Sequence, residues 1–228
     1  MPTPPSTPPG GSAGSPQPRA KPVPKVSVRR PAPATKAPNW LTRARRLLTA
    51  PQQEWAVIAV ESATVGAIYR RFLLVAAAIG PAAATIGTII SGGESSSLSG
   101  TYTISAFDAV TRGVLEYGLN LGAIYLLGIV IAKVAANLGA QPQPVQAFKV
   151  AAYGATPYWL GGVLAVLPKL APIGLLLGLY SCRQFSLGLS PVMKTPEGKV
   201  GVYTLITSVA GIILVLLISA VLQLVINT

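Results

Sequence analysis

Glu54 and Glu61 stand seven residues apart ahead of the first long apolar run, and Arg183 stands inside a later one. A charge near hydrocarbon needs a partner, water or a route to the interface, so these three residues invite ion-pair chemistry. The preferred reading is a structural pair between Arg183 and Glu61. The competing one is Arg183 snorkelling to lipid phosphate. Asn120 in one apolar run, and Tyr153 and Pro157 in the next, complete a candidate polar cluster of Glu54, Glu61, Arg183, Asn120, Tyr153 and Pro157. Glu116, near an outer span end, reads as solvated.

Nothing in this inventory forms a catalytic constellation. The 228 residues contain no His, which removes imidazole bases, His ligands and His proton relays. Cys182 is the single cysteine, so neither an intrachain disulfide nor a CxxC pair is available, and in an apolar helix it reads as an inert thiol. With no paired acid and base and no ligand cluster, no catalytic, metal or cofactor site is expected, and the chain reads as non-enzymatic.

Composition says what must hold these residues. The chain is 51% hydrophobic and 11% charged, which points to lipid as its solvent. Eleven of the eighteen Lys and Arg lie in the first 71 residues, so the net charge of +12 is mainly an N-terminal property. Beside membrane spans such a basic arm meets anionic headgroups and orients the chain; nucleic acid is not expected.

The elements follow from pattern. Residues 1–38 are rich in Pro, Gly, Ser, Ala and Lys without an apolar period, and read as a disordered basic tail with no signal peptide. Residues 39–71 read as amphipathic helices on the cytoplasmic surface of the membrane. In the first, Trp40, Leu41, Ala44, Leu47 and Leu48 share a face; Trp40, Arg43, Arg45 and Arg46 are candidate lipid contacts, and packing on the protein's own spans is the alternative. The second is expected to run from Pro51 toward Tyr69, with Arg70 and Arg71 marking a cytoplasmic boundary.

Residues 72–228 read as an all-α membrane domain. Its five apolar runs, at about 72–91, 113–136, 147–167, 170–189 and 201–227, are each near the length that crosses a bilayer. The third and fourth meet at Leu167-Pro168-Lys169 and are expected to form an antiparallel hairpin. Ser105 with Asp108 resembles a capping box before the second span, and Thr195-Pro196-Glu197 precedes the fifth. Lys133, Lys149, Lys194 and Lys199 fall on the side of the basic N-terminus, leaving Arg112 and Lys169 opposite; the positive-inside rule then makes the N-terminus cytoplasmic. Gly118 with Gly122, and Gly174 with Gly178, form GxxxG spacings that suit packing between the protein's own spans. Pro81 and Pro157 are expected to bend their helices.

Over about residues 48–227 this pattern resembles the Yip family, the Ypt/Rab-interacting membrane proteins, in its prokaryotic form. The resemblance is carried by Pro51, Glu54-Trp55 and Glu61, by Tyr153-Gly-Ala-Thr-Pro157, and by Gly188-Leu-Ser-Pro191-Val-Met193 with Lys199 and Tyr203. It implies a five-helix bundle with a cytoplasmic N-terminus. Eukaryotic members are linked to vesicle trafficking, Rab GTPases and membrane shaping, but the Asp-Leu-Tyr-Gly-Pro type motif of the Golgi branch is absent, so Rab binding does not carry over. The expectation is a membrane-organising or partner-binding scaffold of the inner membrane, contacting anionic lipids and other membrane proteins or itself. A small transporter or channel component with a polar path near the third and fourth spans is the alternative.

Overall fold

The structure, a computed structural model, describes residues 1–2, 38–97 and 100–226. The stretch read as a disordered tail lies outside these residues except for its ends. The chain divides into two units, Met1–Pro33 and Ala34–Thr228, and the elements of the described residues lie in the second.

Helix α1 (Trp40–Thr49) starts where the Asn39 side chain accepts the Thr42 N–H at 2.8 Å. After a break at Ala50, Pro51 opens α2 (Pro51–Val60), its fixed φ and missing N–H being harmless in a first turn. Residues 61–64 leave the helix, and Thr64 caps a new start by accepting the Ala67 N–H at 3.2 Å. From there α3 (Val65–Ile68), a π-helical turn (Tyr69–Leu73), α4 (Leu74–Ala76) and α5 (Ile79–Ile90) form the rod Val65–Ile90. The expected single helix from Pro51 to Tyr69 is therefore two, and the first span starts at Val65, with Arg70 and Arg71 inside its first turns.

A two-stranded antiparallel hairpin follows, β1 (Glu94–Ser97) with β2 (Gly100–Thr103), entered through Gly92 and Gly93 at positive φ. This small sheet was not anticipated. Helix α6 (Ala106–Ala135) begins with the expected box: Ser105 Oγ accepts the Asp108 N–H at 3.1 Å and its hydroxyl donates to Asp108 Oδ2 at 2.6 Å.

The third apolar run is not one helix. It consists of α7 (Pro144–Gly154), a break at Ala155, α8 (Thr156–Gly161) and 3-10 turns at Gly162–Val166 and Pro168–Leu170. Pro157 lies in the first turn of α8, where its ring closes off any continuation from α7. Helices α9 (Ala171–Met193) and α10 (Glu197–Ile226) complete the bundle.

Contacts fix the directions. Tyr69 donates to the Leu121 carbonyl at 2.8 Å and Tyr117 to that of Leu74 at 3.0 Å, so the first rod and α6 run antiparallel. Gly154 faces Phe185, Tyr158 faces Gly178 and Gly161 faces Gly174, which makes α7–α8 and α9 the expected antiparallel hairpin. Tyr203 donates to the Ile131 carbonyl at 2.5 Å and Gly211 faces Leu127, setting α10 antiparallel to α6. Hydroxyl-to-carbonyl bonds of this kind suit a medium that offers no competing water.

Among the described residues three helices are long and apolar enough to cross a membrane: Val65–Ile90, Ala106–Leu138 and Glu197–Leu224. The third run fails through its break and α9 through the polar stretch Ser181–Gln184. Of the glycine pairs, Gly174 sits so close to the Gly161 backbone that a Cβ would come within 2.5 Å of its carbonyl oxygen, whereas Gly118 and Gly122 meet nothing within 4 Å. The expectation that the latter pair packs the chain's own spans is corrected.

Candidate functional site: a buried charge cluster and a divided cavity

Arg43 is the centre of the cluster. Placed mid-way along α1, it is 2% exposed, although the sequence pattern assigned it to lipid. Its Nη1 lies 3.0 Å from Glu54 Oε1, an ionic contact off-line for a hydrogen bond, since neither atom has a hydrogen-bond partner. Its Nη2 donates to Glu61 Oε2, and its Cζ stands 5.2 Å from the centre of the Tyr153 ring. Arg46 Nη1 adds a looser contact to Glu54 Oε2 at 3.8 Å while staying half-exposed.

Lys149 of α7 closes the cluster from below. Its ammonium donates to the Ile58 carbonyl at 3.0 Å and the Glu61 carbonyl at 2.5 Å, and Gln146 donates to that of Ala59 at 3.2 Å. The last carbonyls of α2, which lack partners within their own helix, are thus satisfied by side chains of α7. Beside them Trp55 is fully buried against Gly188 of α9. Arg43, Glu54 and Glu61 charge-compensate one another with Lys149, and Leu47, Trp55 and Ile58 fill the apolar space alongside. Of the apolar faces assigned to the membrane surface, Ala44 and Leu47 of α1 and Trp55 and Ile58 of α2 are buried in the bundle, while Leu41 and Leu48 stay exposed.

The candidate residues therefore separate. Glu54, Glu61 and Tyr153 belong to this cluster, joined by Arg43. Arg183 does not: it is exposed on α9 and donates to the Tyr180 hydroxyl at 2.6 Å, so the expected pair with Glu61 is replaced by Arg43. Trp40 is partly buried, while Arg45 and Arg46 face outward. Lys149 and Gln184 were missed; the available signal was a polar long side chain inside an apolar run, which calls for a partner.

Asn120 and the segment at Pro157 lie elsewhere, around two adjoining cavities. One, of about 250 Å³, is almost entirely apolar and sits between α6, α8, α9 and α10. The other, of about 290 Å³, contains Arg112 and Glu116. Asn120, Tyr158, Trp159, Leu175 and Val215 line both, so the two adjoin across these side chains. The Trp159 indole N–H and the Ser181 and Ser208 hydroxyls are buried there without a hydrogen-bond partner. Cys182 lines the apolar compartment. Among the described residues no group of His, Cys, Asp and Glu is placed to hold a metal ion.

Comparison with known proteins agrees with the membrane architecture. The family described as Yip1 domain matches residues 45–219. The inner membrane protein YohC of Escherichia coli K12 is 33% identical over 125 residues, 54% of this chain and 62% of the relative. YohC of Escherichia coli O6:H1 matches equally. The chain thus covers less than two thirds of these relatives. No solved structure matches.

Proposed function

This chain belongs to the Yip1 domain family, and from that premise we propose that it is an inner-membrane scaffold with five crossings that organises lipid and binds other membrane proteins without catalysis. Two crossings beyond the three plainly apolar ones are the α7–α8 segment and α9. Their support is the direction of three neighbouring pairs: the first rod against α6, α7–α8 against α9, and α10 against α6 all run antiparallel, as five alternating crossings require. The basic side chains near the ends support an orientation with α1 and α2 on the cytoplasmic side. With Cys182 replaced, single cysteines introduced at positions 2 and 227 should be labelled by an impermeant thiol reagent from opposite sides. Labelling from one side refutes five crossings.

The observation that carries the scaffold reading is the Arg43–Glu54–Glu61–Lys149 cluster. It fastens α1 and α2 to the bundle, giving a fixed cytoplasmic face on which Arg45 points outward to anionic headgroups or an acidic partner. Gentle detergent extraction followed by mass spectrometry should find a membrane-protein companion in constant ratio, and Arg45→Glu with Arg46→Glu should weaken binding to anionic vesicles. A lone chain indifferent to both changes sinks the reading. The cavity around Asn120 favours a second one, a transporter component, which predicts solute flux in liposomes holding this protein alone.

A further inference from the structure

The divided cavity has the layout of a lipid rather than of a small solute. Its polar compartment takes in Arg112 and Glu116 near the start of α6, Pro172 near the start of α9 and Ser219 near the end of α10, so it lies toward one end of the bundle. The apolar compartment continues along α6 from Asn120 to Leu127 and along α10 from Ile218 back to Ser208, into the middle of both helices. From Arg112 to Leu127 is about 22 Å of helix, close to the depth of one leaflet with its headgroup. The polar end is at the bundle's edge and the apolar end at its centre, as in a leaflet.

The apolar compartment also has a side entrance. Leu176 and Leu179 of α9 and Ile212 and Leu216 of α10 line it and are at the same time between 45% and 64% exposed. Their outer surfaces face whatever surrounds the bundle, so the cavity opens laterally between α9 and α10. Its surface is almost entirely apolar, so a hydrocarbon chain fills it without desolvation cost. Where the compartments meet, the buried Trp159 N–H has no acceptor, and leaving such a donor unmet is costly.

We propose that this space is a binding site for one glycerophospholipid of the leaflet opposite α1 and α2. Its acyl chain enters between α9 and α10, an ester or phosphate oxygen accepts the Trp159 N–H, and its headgroup lies at Arg112 and Glu116. The inference does not depend on the scaffold reading, since a bound lipid is equally compatible with either proposed activity.

Native mass spectrometry tests it on the full chain, purified in mild detergent from vesicles of phosphatidylethanolamine and phosphatidylglycerol. One lipid should stay bound to the wild type. Ala123→Trp, which fills the apolar compartment, should lower the retained lipid about tenfold, and Trp159→Phe should lower it without blocking the space. Each variant is checked for a cooperative thermal melt. If Ala123→Trp does not fold, a phospholipid with a photoreactive acyl chain decides on the wild type alone: crosslinks should concentrate at Asn120–Leu127 and Ser208–Ile218. Retained lipid unaffected by both substitutions, no retained lipid at all, or crosslinks spread evenly over the outer apolar faces would overturn the proposal.

Discussion

The indole N–H of Trp55 donates to the side-chain oxygen of Gln184 at 3.0 Å, tying α2 to α9 across 129 positions of sequence. The amide of Gln184 then donates to the Leu47 carbonyl at 2.8 Å, so one side chain in the interior binds α1 and α2 at once. Gln184 and Trp55 are both fully buried, which leaves no water to replace either bond.

Gln184→Ala should therefore strand the Trp55 N–H and the Leu47 carbonyl together. A loss of roughly 1–3 kcal/mol for each unsatisfied group is expected, visible as a lower melting temperature in detergent. Gln184→Met, which fills the volume but supplies no bonds, should be nearly as damaging. A melting temperature equal to wild type for either would show that the bond is not formed.

Arg43 gives the sharper electrostatic test. Arg43→Met leaves Glu54, 3% exposed, without its closest cation, and removing one member of a buried pair costs about 3–5 kcal/mol. Replacing Glu54 by Gln in the same chain removes that uncompensated charge and leaves Glu61 to balance Lys149, so the double variant should melt above Arg43→Met. Glu61→Gln alone should cost less, because its side chain is 19% exposed and solvent can reach it. A double variant less stable than Arg43→Met would contradict the charge argument.

These residues also show what sequence makes legible. The three long apolar helices and the Ser105–Asp108 box could be read because hydropathy and capping are local: each depends on residues within one helix or one turn. The antiparallel hairpin at Leu167–Lys169 was legible because so short a connection between two apolar runs leaves little choice. Arg43 was misread because the face of an amphipathic helix looks the same whether it meets lipid or protein; the deciding groups, Glu54, Glu61 and Tyr153, lie in other elements. The pairing of Arg183 with Glu61 failed for the same reason. Glu61 does take an arginine as its partner, but that arginine is Arg43. The break at Ala155 was half legible in Pro157, which marks a bend without saying that the helix stops.

Gly188 is set by what faces it. A Cβ there would come within 2.8 Å of the Trp55 ring, and that ring is held in place by Gln184. Gly188→Ala should therefore destabilise the protein, by about 1–3 kcal/mol as for other overpacked interiors, although alanine is the better helix former. Gly118→Ala, on open surface of α6, is the control and should be neutral or slightly stabilising. Equal melting shifts of the same sign for both would remove the close approach as the cause.

Lys149 separates capping from charge. Its ammonium donates to two carbonyls at the end of α2 and also lies near the Glu61–Arg43 pair, so Lys149→Met removes donors and charge together. Lys149→Arg keeps both the charge and donors, on a longer and planar group; Lys149→Gln keeps donors without the charge, on a shorter stem. If capping dominates, hydrogen exchange at the Ile58–Glu61 amides should quicken about tenfold or more in Lys149→Met, a change matching the loss of one buried hydrogen bond. It should be partly restored in Lys149→Gln. If charge dominates, Lys149→Gln should resemble Lys149→Met, and Lys149→Arg alone should recover protection. Unchanged exchange in all three would mean that α2 keeps its last turn without α7, and the cluster would then join two elements that are each stable on their own.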